Sequence, residues 1–235
     1  MIRFGNIYPK VYDMDNLREA HKNAREDKLF YAEVVMVDSD PDFYLSQIQE
    51  MLMNGTYQVN PEDYTVSTIN DKGKSRELWK LPYFPHRIIQ WAIMLQIEPV
   101  FNQVFTDFSC ASLPNRGIQK AQKLIDRYLK DEPGTKYCFK MDVHHFYPSI
   151  DHDILKRLLR KKFKDPDLLA LLDMIIDSHP PKGIPIGSYL SQYLANFVLL
   201  LKNGDKLPVP RSRRKEAQQA YMNWMFTHAR REGWA

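Results

Sequence analysis

Phe139-Lys140-Met141-Asp142-Val143-His144-His145-Phe146-Tyr147-Pro148-Ser149-Ile150-Asp151 is the stretch on which the reading of this chain turns. Residues 137–143 alternate. Tyr137, Phe139, Met141 and Val143 fall on one side, and Cys138, Lys140 and Asp142 on the other, which is the period of a half-buried strand. One face packs; the other brings Lys140 and Asp142 to a polar cleft. Tyr147 follows five positions after Asp142. A carboxylate at a strand end can hold a divalent cation, and a flat side chain nearby can support a nucleotide. Asp151 then stands where a helix cap belongs, ahead of Ile154, Leu155, Leu158 and Leu159.

The chain around this stretch is built to fold. Its 235 residues suit one large domain or two small ones, and a hydrophobic share of 44% with 12% aromatics excludes a disordered chain. No apolar run approaches a membrane span, and Met1-Ile2-Arg3-Phe4-Gly5-Asn6 does not read as a secretory signal. Cys110 and Cys138 are the only cysteines, too few for a disulfide framework or a cysteine-based zinc site. A cytoplasmic setting without membrane partners is the expectation.

Charge is unevenly spread. Residues 202–235 hold eight Lys/Arg against three acids, a net of +5, so the net +4 of the whole leaves −1 on the first 201 residues. Bulk basicity therefore gives no argument for nucleic acid in the main body; local clusters must carry it.

Further elements follow from periodicity and punctuation. Asp15-Asn16 reads as a helix start. Asp38-Ser39-Asp40-Pro41 caps a second helix with Phe43, Ile48, Met51 and Leu52 as its stripe, ended by Asn54-Gly55. Residues 65–69 and 76–81 read as a hairpin whose turn, 70–74, carries Lys72 and Lys74. Pro85 precedes a long helix through Ile97. Gly117 to Leu129 is another, and Asp165-Pro166-Asp167 opens a third. Pro180-Pro181-Lys182-Gly183-Ile184-Pro185-Ile186-Gly187 is a constrained loop before a final apolar helix. Pro208-Val209-Pro210 links to a basic helix over 211–232 with Tyr221 and Trp224.

Three segments share one resemblance. Residues 139–155, then Gly183-Ile184-Pro185-Ile186-Gly187-Ser188-Tyr189-Leu190-Ser191-Gln192, then Leu81-Pro82-Tyr83-Phe84-Pro85-His86-Arg87-Ile88-Ile89-Gln90 resemble motifs of the reverse transcriptases. Glu98-Pro99-Val100-Phe101, Ser109-Cys110 and Arg116-Gly117 continue the pattern. The likeness is closest to the bacterial group of diversity-generating retroelements, with group II intron and retron relatives. It covers roughly residues 1–200. Where His86 stands, that family usually carries Asp.

The resemblance implies an α+β fold comprising the fingers and partial palm of a right-hand polymerase. It would be helix-rich, with an incomplete antiparallel palm sheet and a basic helical tail. Fingers would span 1–135, partial palm 136–201 and an unrelated basic tail 202–235. It implies RNA-directed DNA polymerisation on an RNA template with a DNA or RNA primer and dNTPs. Two Mg²⁺ ions about 4 Å apart would be held by Asp142 and the Val143 carbonyl. Tyr147 would exclude a 2′-hydroxyl. Arg76 and Arg87 would grip the triphosphate; Gly187, Ser191 and Gln192 would sit beside the nascent base pair. Lys74 and Arg116 would contact nucleic acid. Read without the resemblance, Lys72 and Lys74 are a solvated turn, Tyr147 is a core aromatic beside Phe146, and Gly187 a turn.

The family's Tyr-X-Asp-Asp hairpin has no counterpart: after Gln192 no two acids are adjacent, and Tyr221-Met222-Asn223-Trp224 offers none. One carboxylate does not hold two Mg²⁺ ions, so the expectation is a truncated polymerase, inactive alone unless an accessory protein or companion chain completes it. Competing readings are a non-catalytic nucleic-acid-binding module and a fragment that completes its sheet with a partner. A zinc site from His144, His145 and His152 is disfavoured, because adjacent residues on an extended chain point apart.

Overall fold

A computed structural model describes residues 3–71, 74–106, 109–111, 113, 115–135, 143, 145–179 and 182–199. Asp142, the strand expected over 137–143, His144, Lys72 and the tail from 202 lie outside the described residues. Among those described, the fold is helix-rich with one small antiparallel sheet. It is α+β in that sense, and among the described residues no helix is long and apolar enough to cross a membrane.

The helices are α1 (Tyr8–Val11), α2 (Met14–Ala24), α3 (Ala32–Ser39), α4 (Pro41–Met53), α5 (Ile88–Val104), α6 (Ile118–Leu129), α7 (Phe146–Ser149), α8 (His152–Arg160), α9 (Pro166–Asp177) and α10 (Tyr189–Leu199). Strands β1 (Thr65–Asp71) and β2 (Lys74–Lys80) pair from Thr65 opposite Lys80 to Asp71 opposite Lys74. The hairpin is as the sequence predicts, with strands one or two residues longer.

Helix starts follow side-chain chemistry. Asp13 caps α2 by accepting from the Asp15 and Asn16 N–H groups, two residues before the predicted start. Asp40 caps α4 through Phe43 N–H, and Asp151 and Asp165 cap α8 and α9. On α4 the buried stripe is Leu45, Ile48 and Leu52; Phe43, assigned to it from sequence, is exposed. It lies one position past the cap residue's Pro41-Asp42 turn and rotates away from the core. Helix α3 was not foreseen. Its Val34, Val35 and Val37 favour strands, and its N-terminus has no side-chain cap.

Helix α5 runs through the centre. Ile88, Ile89, Ala92, Ile93, Met94, Ile97 and Phe101 are fully buried, so apolar residues occupy almost its whole circumference. It continues past Pro99 to Val104, beyond the predicted end at Ile97. Helices α1, α2 and α10 pack on it. Glu98 binds α10 by accepting from the Tyr193 (2.7 Å) and Tyr189 (3.3 Å) hydroxyls, and Trp91 stacks on Tyr189 at 4.4 Å.

One buried carboxylate closes the fold end to end. Asp165, on the α9 cap, accepts from Leu168 N–H and also from the N–H groups of Ile7 (2.7 Å) and Tyr8 (2.9 Å). It therefore satisfies the starts of two helices 157 residues apart. Phe4 adds a bridge to the same segment, its N–H to Lys162 O and its carbonyl from Lys164 N–H, both 2.7 Å. Asp165→Ala strands these donors in the core. The expected loss is about 2–4 kcal/mol, read as a lower urea midpoint with unchanged m-value; a midpoint within error of the parent chain refutes the double-cap role.

Candidate functional site

The Asp142 motif is visible from Val143 onward. Val143 is half-exposed, and His145 has left-handed backbone (φ 49°) where it starts the short α7. Tyr147 is partly buried on α7, and burial pushes its hydroxyl pKa up, keeping the phenol neutral. Its carbonyl accepts from Ile184 N–H (3.1 Å), while Gly183 N–H donates to Ile150 O (2.8 Å). The Gly183 carbonyl faces His152 Nε2 at 2.7 Å, and His152 Nδ1 lies 3.3 Å from Asp177. Gly183 sits at φ +87°, where an added Cβ would come 2.7 Å from Pro148 Cα and 2.8 Å from the Tyr147 carbonyl oxygen. Only glycine permits this approach. The motif around Tyr147 and the loop leading to Gly187 are thus locked together.

The same loop is tied to the hairpin and to α5. Trp79 N–H donates to Ile186 O (3.1 Å). Gly187 follows at φ +117°, with Trp79 O 3.6 Å from where a Cβ would stand. Ser188 Oγ donates to Gln90 Oε1 (2.7 Å), and Ser191 N–H donates to Ser188 Oγ (3.4 Å). Ser191 is buried beneath this turn and Gln192 is half-buried on α10.

Behind β2 lies a cavity of about 190 Å³, walled among others by Lys28, Trp79, Arg87, Gln90, Gly187 and Ser188. Arg87 and Gly187, a hundred residues apart in sequence, both line it. Arg87 comes from a widened turn, Tyr83–Arg87, that leads into α5, and its Nε donates to Ala24 O at 3.0 Å. Burial lowers its pKa but leaves it a cation. Lys28, Gln90 and Ser188 were not singled out from sequence as site residues. Gln90 carried a signal, a buried amide on the apolar helix α5, whereas Lys28 looks like any surface lysine.

Other expected site residues lie elsewhere. Arg76 stands on β2 opposite Ile69, on an exposed strand and off the cavity wall. Lys74 starts β2, and its side chain lies outside the described residues. Arg116 donates to the carbonyls of Thr106 (2.6 Å) and Ser109 (2.9 Å), so its guanidinium closes a loop of its own neighbours. Among the described residues no three His, Cys, Asp or Glu gather as a metal site. Asp151 is engaged as a cap, its carboxyl held low by the Ile154 N–H.

His86, where the resembling family usually has Asp, is buried with Nδ1 2.9 Å from the Tyr57 hydroxyl. A second buried imidazole, His21, lies between the Tyr83 hydroxyl (2.7 Å) and Asp38 (2.8 Å), and Arg25 joins Asp38 at 2.8 Å.

No family model matches the chain. Over 208 residues, 83% of its length, it is 26% identical to the group II intron-encoded protein LtrA of Lactococcus lactis. It is 25% identical over 166 residues to protein YkfC of Escherichia coli, a match covering 66% of the chain. It is 23% identical over 208 residues, 84% of its length, to nuclear intron maturase 4 of Arabidopsis thaliana. The chain spans 43% of YkfC, 34% of LtrA and 25% of the maturase. It is thus a distant relative of intron-encoded proteins.

Burial depresses the pKa of His21, His86 and His179 in each case as the largest effect, for His21 against the pull of Asp38. The unfolded chain therefore takes up protons that the folded chain refuses. Stability is full above the ordinary histidine value, about 6.5, and falls as pH drops through the depressed values. Urea midpoints should decrease from pH 7.5 to 5.5, with a shallower decrease in His86→Gln. A flat or rising profile contradicts this.

Proposed function

We propose that the chain is the fingers and the opening part of the palm of a reverse transcriptase, a template-directed deoxynucleotidyl transferase. The observation that carries the reading is the meeting of Arg87 with Gly187 in one cavity, in a chain whose relatives are intron-encoded proteins. In the proposed reaction a primer 3′-hydroxyl forms a bond to the α-phosphorus of a dNTP, and pyrophosphate leaves with the broken P–O bond. RNA is the proposed template.

The residues divide this work. Arg87, and Arg76 from the hairpin, neutralise phosphate charge; a guanidinium presents donors in a plane that fits phosphate oxygens. Gly187 lets backbone approach the base pair, and Ser191 and Gln192 support that turn. Tyr147 presents its ring against the sugar and rejects a 2′-hydroxyl. The contacts of Gly183 with α7 bear on both tasks, because they hold Tyr147 and Gly187 in one frame.

Mg²⁺ is the proposed cofactor, with Asp142 and the Val143 carbonyl as ligands. When bound it stabilises charge on phosphoryl oxygens. Magnesium takes about six oxygens, mostly carboxylate, phosphate and water, and one carboxylate with one carbonyl is a poor donor set for two ions. No adjacent acid pair follows Gln192 to improve it. The 235-residue chain is accordingly proposed to need further carboxylates, from a companion chain or additional sequence.

Primer extension on an RNA template with Mg²⁺ tests this directly. The 235-residue chain should bind RNA, unaffected within about twofold by Asp142→Ala, and extend no primer above background. Robust extension refutes the proposed incompleteness. RNA binding that disappears on removing residues 202–235 shifts the reading to a basic binding module.

A further inference from the structure

Three cations line the cavity behind β2: Lys28, Lys80 and Arg87. Besides Arg87, whose Nε is held by Ala24 O, Lys28 Nζ donates to Glu26 O at 3.1 Å. Both are thus anchored on carbonyls at or just beyond the end of α2, leaving the remaining donors of a guanidinium and an ammonium for a ligand. Among the described residues neither forms an ion pair: Glu26 and Asp27 flank Lys28 in sequence without pairing, and Glu33 in the wall accepts Tyr83 N–H at 2.7 Å. Burial disfavours both charges, and Arg87 further disfavours that of Lys28. With three cations and one carboxylate, Glu33, on its wall, the cavity lining carries net positive charge, which an anion relieves.

Size and rim indicate which anion. At about 190 Å³ the cavity is smaller than the roughly 300–1,000 Å³ of sites that enclose a whole small molecule. It admits one segment of a larger ligand. Its rim is aromatic: Tyr31 lines it and is 47% exposed, and Phe30 beside it, 80% exposed, meets Tyr31 edge to face at 4.9 Å. Exposed rings next to phosphate-binding cations are how single strands are held, because every base offers a face to stack on.

We propose that Lys28 and Arg87 form a phosphodiester subsite for single-stranded nucleic acid, with Tyr31 and Phe30 as the stacking surface for the flanking base. Arg87 then serves the strand rather than the triphosphate of the incoming nucleotide. The subsite rests on the polymerase reading above, and gives the strand a path between the end of α2 and β2.

The test uses the full 235-residue chain, a 5′-hydroxyl RNA oligonucleotide about twelve nucleotides long, and dTTP as the triphosphate probe. Fluorescence anisotropy follows the RNA across a salt series, and equilibrium dialysis follows dTTP. Lys28→Gln should weaken RNA binding roughly three- to tenfold and reduce the log–log salt slope by ~1. Tyr31→Ala should weaken it with the slope unchanged. Lys130→Gln, just past the end of α6, should alter neither, and dTTP binding should be the same in all. Weakened dTTP binding with intact RNA binding overturns the assignment by giving the phosphate to the nucleotide. Unchanged RNA affinity in Lys28→Gln overturns the subsite but leaves the polymerase reading standing, whereas a parent chain that binds no RNA removes both. Matching circular-dichroism melts exclude misfolding as the cause of a loss.

Discussion

Burial of α5 on nearly every side is the constraint from which the rest of the structure follows. A helix with apolar residues around its whole circumference must be surrounded, and α1, α2 and α10 do this. Polar side chains along it, Gln90, Gln96 and Glu98, find partners, although Trp91 Nε1 is buried without one. Asn16 on α2 donates to Ala92 O (3.1 Å) and accepts from Gln96 (2.6 Å), fixing how α2 lies on α5. Because α2 is fixed, its terminal carbonyls stand where Arg87 can reach them. Because α5 begins at residue 88, Arg87 and Gln90 project at its first turn. The cavity is a product of core packing, with its charged and amide groups set by the same contacts that exclude water from the interior.

The loop over 182–188 acts as a strap across four elements. Gly183 joins it to α7 and α8, Ile186 to β2, and Ser188 to α5. Each tie is a single hydrogen bond or a close backbone approach, of modest net value alone, about 0.5–1.5 kcal/mol. Together they fix the position of a segment with no regular structure of its own. Edge-to-face aromatic contacts add to this at the hairpin base, where Trp79 lies 4.8 Å from His179 and 5.7 Å from Tyr64. The hairpin and Tyr147 are thus joined by one continuous set of contacts.

Local chemistry made much of this readable from the chain. Asp40, Asp151 and Asp165 cap helices because a short carboxylate before a helix accepts orphan N–H groups wherever the helix lies. The hairpin is legible because β-prone runs flank a turn of Asn, Asp and Gly. What escaped depends on distant contacts. Helix α3 is made of valines that favour strands, and it is helical because Val34 and Val37 find the core. Asp165 reads as a cap, but its second role toward Ile7 and Tyr8 joins positions that no sequence window contains. At the site, motif resemblance brought Arg87 and Gly187 into consideration, and the fold brings them together. The guanidinium of Arg116, by contrast, is taken up by neighbouring carbonyls that its sequence context does not reveal.

The joining of residues 4–8 to residues 162–165 bears on how the chain comes to be folded during synthesis. Helix α1 lacks its cap until Asp165 has been made and has left the ribosome. Until then the backbone donors of Ile7 and Tyr8 have only water or transient partners, while α2 and α4 already have their caps, Asp13 and Asp40. Closing a loop of this length carries a large entropic cost and belongs late in assembly. Residues 4–8, which emerge long before Asp165, are thus late to settle, and during that interval they are open to chaperones and proteases.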